Sequence, residues 1–279
     1  MYECASCGMI KSIEFLTREE AHDEQPLRFN IELGRTKPVN IRNEQVRCPF
    51  CDRSKLTDIL DTSGHIIWLM NKYPVLEKTW PTVIIETETD EGEFSTLPTD
   101  EAAHILQFGL DKWRETRQRK EFKSVLFFKN HGYMSGGSIR HPHSQIIGLE
   151  NYDYHKDITA QNMEGWLLHE DQDVRITLST HPIIGFFEYN IRFKPDAPVR
   201  AVALRLQQIL RYVLHSVANF SQSYNYFVYN LEDGYDYIKV VARYVTTPLY
   251  VGYKIPQTCD EGRAAKIKHD ITPYFQATK

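Results

Sequence analysis

The densest collection of reactive side chains in this sequence lies between Phe128 and Leu149, FKNHGYMSGGSIRHPHSQIIGL. His141 and His143 stand two residues apart, so on extended backbone they share one face, and Gln145 falls on that face too. Upstream, Gly136 and Gly137 let the backbone approach a ligand closely and present its N–H groups. Ser138 adds a hydroxyl, while Arg140 and Lys129 add positive charge. Such a set suits a phosphate held beside an imidazole. Neutral histidine is nucleophilic near neutral pH and is a serviceable leaving group. Attack on an α-phosphate would give a phosphohistidine that a second phosphate then resolves. The same spacing also occurs in surface segments and in metal-binding pairs, and glycines after a strand often mark only a turn.

The second chemical signal is cysteine spacing. Of the five cysteines, Cys4 with Cys7 and Cys48 with Cys51 form Cys-x-x-Cys pairs, leaving Cys259 as a plain thiol. In a reducing compartment such pairs point to metal before disulfide. Cys48 and Cys51, flanking Pro49 and Phe50, have good zinc-ligand spacing. Cys4 and Cys7 are either a loose pair with no fixed partner or the other half of a four-cysteine site.

These residues need a scaffold. Ile66 to Met70 and Thr82 to Glu86 are rich in β-branched residues and predict strands on either side of a turn at Asn71-Lys72-Tyr73-Pro74. Thr99 is a candidate N-cap for a helix carrying Ala103, Leu106, Leu110 and Trp113 on one face and ending in the basic stretch Arg114 to Lys120. Val125 to Phe128 and Ser144 to Leu149 predict strands around the glycine-rich loop. The order then recurs. Arg175 to Leu178 and Gly185 to Ile191 are extended, and Val199, Val202, Leu206, Ile209, Val213, Val217 and Phe220 mark a long amphipathic helix. Strands follow at Tyr226 to Tyr229 and Tyr237 to Val241. The reading is an α+β protein of two related halves, residues 1–160 and 161–279, built on antiparallel sheet with helices.

Over 279 residues the formal net charge is −4, which gives no global basic field for nucleic acid or an anionic membrane. No apolar run approaches a membrane span of about 20 residues. Met1 to Gly8 lacks the basic start and apolar stretch of a signal peptide, so a cytoplasmic location is expected.

Asn130-x-Gly132, Gly136-x-Ser138 and His141-Pro-His143-x-Gln145 together resemble the active-site signature of galactose-1-phosphate uridylyltransferases, a family of the histidine-triad (HIT) superfamily. Ser144, between His143 and Gln145, is similar to the form found in the related ADP-glucose phosphorylases. Asn30 to Pro38, Cys48-Pro49-Phe50-Cys51 and Asn71 to Pro74 follow the order such enzymes show. The likeness covers most of residues 28–149, matches 165–250 only in pattern, and fits a bacterial branch of the family better than a standard member.

That resemblance implies a HIT-like fold and a nucleotidyltransferase acting on nucleotide sugars and sugar phosphates. His143 would be the nucleophile and Gln145 a hydrogen-bond donor to the transferred phosphate. Ser138 and the amides near Gly136 and Gly137 would hold phosphate oxygens. Asn130 would orient phosphate or ribose, and Asn71 would line the nucleotide pocket. His141 would join Cys48 and Cys51 on a structural zinc. The family's fourth ligand, a histidine, is missing from Glu86 to Asp90, which leaves Asp90, Glu88 or His104 as substitutes. The second half lacks the family's histidines. It would be structural, or would meet the acceptor through Tyr237, Lys239 or Arg243. Two further expectations accompany this reading: that Asn130 and Asn230 are equivalent, with Ile238 where His143 sits, and that the chain is compatible with a homodimer.

Overall fold

A computed structural model describes residues 26–277 apart from 42, 44 and 217–220. Cys4 and Cys7 lie outside the described residues. The first half contains α1 (Ile31–Arg35), β1 (Ile59–Ser63), β2 (Ile66–Met70), β3 (Thr79–Ile85), α2 (Thr99–Arg117), β4 (Ser124–His131) and β5 (His143–Leu149). The second contains β6 (Gly165–Glu170), β7 (Val174–Ser179), β8 (Glu188–Phe193), α3 (Val199–His215), β9 (Tyr224–Asn230) and β10 (Asp236–Ala242), followed by α4 (Pro248–Tyr253) and α5 (Glu261–Gln276).

Among the described residues ten strands form one sheet, in the order β1-β2-β3-β5-β4-β9-β10-β8-β7-β6. Every neighbouring pair is antiparallel. Read inward from either edge, the two halves give the same sequence of strands, and each has its long helix between its third and fourth. The halves meet where β4 pairs with β9, Asn130 opposite Asn225 and Phe127 opposite Val228.

One face of the sheet is covered by helices. Trp113 and Leu106 of α2, Leu206, Ile209 and Val213 of α3, and Ile267 and Ile271 of α5 pack against Ile84, Phe127, Ile146, Tyr226 and Ile238 in a core shared by both halves. The apolar positions of α3 recur every three or four residues, so they form a single buried stripe. In the first half the opposite face carries Ile67, Leu69, Val83 and Ile85, covered in part by Phe50 and Leu56.

Strand alternation corrects two expectations. On β4, Phe127 faces the helices, so Asn130 lies on the opposite face, whereas Asn230 faces the helices and accepts from Arg117 of α2 at 2.8 Å. The two asparagines are therefore not equivalent. Ile238 is buried in the helix-side core, on the face opposite His143, and Tyr237 and Lys239 are the β10 residues that share the His143 face. Thr99 is the first residue of α2 rather than its cap. Pro98 precedes the helix, and the Thr99 hydroxyl donates to Gln207 of α3 at 3.0 Å. β1, four of whose five residues are exposed, carries no periodic signal and was not expected. α5, capped by Asp260 accepting from Arg263 N–H at 2.8 Å, was also unassigned from sequence. Among the described residues no helix is long and apolar enough to cross a membrane.

The halves are bound together by polar contacts as well as by the core. Arg114 of α2 donates to Asp236 of β10 at 2.7 Å. Gln207, fully buried in α3, donates to the carbonyls of Phe94 (2.9 Å) and Leu97 (2.8 Å) just ahead of α2. Gln207→Leu removes both donors and strands these acceptors. It is expected to cost about 2–4 kcal/mol, read as a lower midpoint in urea with the transition remaining single.

Candidate active site and metal site

His141 and His143 straddle the start of β5, where the chain leaves the glycine-rich loop and enters the sheet. His141 is fully buried. Its Nε2–H donates to the Thr87 carbonyl at 2.9 Å, which leaves the Nδ1 lone pair facing the Sγ atoms of Cys48 and Cys51, each 3.4 Å away. Tetrahedral zinc, with Zn–S of about 2.3 Å and Zn–N of about 2.0 Å, sets S···N edges of about 3.5 Å. The donor set therefore fits a metal ion, and the carbonyl behind the imidazole is the outer partner that metal-ligating histidines use. Among the described residues these three alone gather as candidate ligands. Asp90 is taken by Arg140, His104 bonds Ser63, and Glu88 is exposed.

The same backbone fixes the second histidine. His143 Nδ1–H donates to the carbonyl of His141 at 2.7 Å. Donation from Nδ1 assigns the tautomer and leaves the Nε2 lone pair for the cavity that the ring lines. Burial pushes the imidazole down to about 4, so it is neutral at physiological pH. Phe50, held between Cys48 and Cys51, packs edge-on against both rings, with centroids 5.4 Å from His143 and 5.9 Å from His141. Beneath the strand, Lys129 pairs with Glu86 at 2.5 Å, both fully buried, and also donates to the His143 carbonyl at 3.3 Å.

The cavity has a volume of about 430 Å³. His143, Gln145, Asn130, Ser138, Asn71 and the Gly136–Gly137 turn all line it. Gly136 has φ +83°, a left-handed conformation that favours glycine. At Gly137 a Cβ would sit 3.2 Å from that of Asn130, a tight contact that marks the close approach of loop to strand. Gly137 N–H donates to Ser135 Oγ at 3.2 Å. The loop is pinned by buried Asn40, whose N–H donates to the Ser138 carbonyl (3.0 Å) and whose Oδ1 accepts from Arg140 N–H (2.8 Å). Asn71 Oδ1 accepts from Tyr73 N–H at 2.9 Å and closes the turn that forms the opposite wall.

Two expected cations lie elsewhere. The Arg140 side chain is not in the cavity lining and donates to Asp90 at 2.7 Å. Lys129 faces the helices, because it neighbours Asn130 on a strand and so points the other way. Positive charge at the cavity comes instead from Lys37, Arg47, Lys55 and Lys72. Burial lowers the pKa of Lys37, while Arg47 and Lys55 share Asp52 at 3.2 and 2.9 Å. Sequence reading also missed Asn225, whose amide donates to Asn130 Oδ1 at 2.6 Å from the second half.

Comparison with known proteins gives this geometry a lineage. The family model described as "Domain of unknown function (DUF4931) N-terminal domain" matches residues 29–152, and its C-terminal counterpart matches residues 155–275. The chain belongs to the DUF4931 family. A crystal structure of a DUF4931 family protein from Bacillus cereus ATCC 10987 is 38% identical and superposes with a TM-score of 0.71, covering 79% of this chain and 100% of that one. ADP-glucose phosphorylase from Arabidopsis thaliana, with bound ADP-glucose, superposes with a TM-score of 0.66 at 15% identity over 84% of this chain and 92% of that one, a likeness of fold alone. The galactose-1-phosphate uridylyltransferase of Streptomyces lividans is 24% identical over 127 residues, which are 45% of this chain and 35% of that enzyme. The match thus spans about a third of the length of the uridylyltransferase. The architecture is α+β, built on one antiparallel sheet with helices, and the ADP-glucose phosphorylase shares it.

Protein prepared without chelators is expected to carry about one metal ion per chain, measured by elemental analysis. Cys48→Ser should lose both the ion and thermal stability, because binding and folding are coupled. Full metal content in that variant would remove Cys48 from the ligand set.

Proposed function

We propose that this DUF4931 protein is a nucleotidyltransferase that moves a nucleoside monophosphate between a nucleotide sugar and a sugar 1-phosphate through a nucleotidyl–His143 intermediate. The observation that carries the reading is the His143 imidazole. Its Nδ1–H is committed to the His141 carbonyl, and its ring lines a cavity shared with Asn130, Gln145 and the glycine turn.

In the first half-reaction the Nε2 lone pair forms a bond to the α-phosphorus, and the P–O bond to the sugar 1-phosphate breaks with its electrons. The imidazole becomes cationic as it is phosphorylated, and the His141 carbonyl, already in place, stabilises the Nδ1–H of that cation. In the second, a phosphate oxygen of the acceptor forms the new P–O bond and Nε2 leaves as neutral imidazole. Gln145 and Ser138 hold the phosphoryl oxygens, Asn71 lines the nucleotide side, and the surrounding lysines offset the charge of the diphosphate. The ion on Cys48, Cys51 and His141 is proposed to be zinc in a structural role. It holds the His141 ring, and the adjoining carbonyl orients His143. In this reading residues 1–160 carry the chemistry and 161–279 support it.

The second reading is an ADP-sugar phosphorylase, in which inorganic phosphate accepts the nucleotide. It is favoured by Ser144 in the His-Pro-His-Ser-Gln segment and by the likeness in fold. Against it, Ser144 lies on the face of β5 away from the cavity, so the residue that suggests the distinction does not touch the substrate side.

His143→Ala should abolish transfer while leaving nucleotide binding within a few-fold. Gln145→Ala should slow transfer on the order of 100-fold. His141→Ala should lower metal content and stability together. The test is incubation with UDP-glucose and with ADP-glucose, followed by intact-mass measurement and peptide mapping without acid. A nucleotidyl adduct on another residue, or full turnover by His143→Ala, sinks the mechanism. No adduct with either sugar nucleotide would leave a silent nucleotide-binding module.

A further inference from the structure

A second cavity, of about 450 Å³, opens on the same face of the sheet one strand beyond the first. Asn130 lines both. The second cavity has two unlike ends. Its polar end gathers Asn130, Ser135, Asn225 and Arg243. Its apolar floor is formed by Phe128 on β4 and by Phe227 and Tyr229 on β9, with Tyr154 at the far side. The floor rings are packed in sequence, Phe128 to Phe227 at 6.2 Å and Phe227 to Tyr229 at 6.3 Å between centroids.

Arg243 is the unexplained group at the polar end. It follows β10 and is tied to the neighbouring strand by its own N–H, which donates to the Ser223 carbonyl at 2.8 Å. Its guanidinium donates to Asn225 Oδ1 at 2.8 Å. Asn225 in turn donates to Asn130 Oδ1 at 2.6 Å and to the Ser135 carbonyl at 3.0 Å, so the guanidinium is held in a fixed chain leading to the first cavity. Among the described residues Arg243 pairs with no carboxylate. A half-buried guanidinium keeps its charge, and a neutral amide oxygen offsets only part of its lost hydration. The two other side chains of β10 that face this side are already committed. Lys239 is spent on Glu188 at 3.1 Å and on the Asn162 carbonyl at 2.8 Å, and the Tyr237 hydroxyl on Asp233.

We propose that this second cavity is the acceptor subsite, with Arg243 receiving the phosphate of a sugar phosphate and the Phe128–Phe227–Tyr229 floor receiving the sugar. The proposal rests on the nucleotidyltransferase reading. His143 on β5 and Asn225 on β9 are two strand spacings apart, about 10 Å. A diphosphate is of the same order of length, and the Arg243 guanidinium donates to Asn225 at the far end of that row. The phosphate would then lie between Asn130 and Arg243, with its organic body directed along the strands over the rings. Sugars present C–H faces that suit aromatic surfaces, and the cavity is far larger than inorganic phosphate needs. The second half, which lacks histidines on this face of β10, thus selects the acceptor without joining the bond-making step.

The test is calorimetric titration of the full chain with glucose 1-phosphate, galactose 1-phosphate, inorganic phosphate and UMP. At least one hexose 1-phosphate is expected to bind the native protein more tightly than inorganic phosphate. Arg243→Gln should weaken that binding at least tenfold while UMP affinity stays within twofold. Phe227→Ala should weaken the hexose phosphate and leave inorganic phosphate unchanged, which keeps the test open if Arg243→Gln fails to fold. Hexose phosphate binding unaltered in both variants, or no tighter than that of inorganic phosphate, overturns the proposal. If no nucleotidyl adduct forms on His143 but hexose phosphate binding still depends on Arg243, the subsite stands and the transferase reading falls. If the adduct forms and Arg243 is indifferent, the reverse holds.

Discussion

The hydrogen bond from His143 Nδ1 to the carbonyl of His141 links nearly every other feature of the site. It joins two residues separated only by Pro142, whose ring fixes φ and removes a donor from the turn. Because the acceptor is backbone, its position depends on what holds His141, and three things do. The ring nitrogens face the Cys48 and Cys51 sulfurs on one side and the Thr87 carbonyl on the other. The Pro142 carbonyl accepts from the Glu86 N–H at 3.1 Å. Phe50 packs against both imidazoles. The His143 imidazole is thus held in one tautomer at one angle by backbone geometry rather than by a flexible acidic side chain.

Beneath that bond lies a costly feature. Lys129 and Glu86 form an ion pair with almost no access to water. Removing two charges from solvent is penalised by several kcal/mol per ion before their attraction is counted, so a pair of apolar residues could serve stability as well. What apolar residues would not supply is the ammonium contact to the His143 carbonyl. The second half repeats the pattern of a buried Lys–Glu pair, Lys239 with Glu188, whose carboxylate also accepts from the N–H groups of Ile183 and Ile184 at 2.8 Å. There it braces the loop ahead of β8 rather than the start of a strand. The same device is used for position in one half and for closure in the other.

The parts of this molecule that were legible in sequence are those where burial forces residue type. The apolar stripe of α3 and the β-branched runs of β2 and β3 announce themselves, and the clustering of Cys48, Cys51 and His141 followed from ligand chemistry together with a family resemblance. What escaped was mostly a matter of one-residue parity. Lys129 and Asn130 are neighbours, yet one faces the helices and the other the cavity, and no composition signal says which. Asn230 reads as the equivalent of Asn130 because each begins a loop after a strand, while Asn225, which does touch Asn130, sits inside β9 with nothing to mark it. β1 was invisible because an exposed edge strand has no buried face to impose a period. Arg140 was read as a phosphate ligand from its place beside the histidines, but Asp90, fifty positions away in sequence, lies closer to it.

The proposed ion-binding triad also says something about how the chain reaches this shape. Cys48 and Cys51 lie 93 and 90 positions from His141. A cation bridging them would close a loop covering about a third of the polypeptide, and a cross-link over roughly 100 residues removes about 4–5 kcal/mol of disorder from the unfolded ensemble in the chain-entropy model. Such an ion would be a reversible staple as much as a support for an imidazole. The triad also depends on sheet register: its third ligand lies just ahead of β5, which pairs with β3 with His143 opposite Ile85, a pairing that spans a long stretch of chain. An ion held there would act as a latch across a sheet already in register.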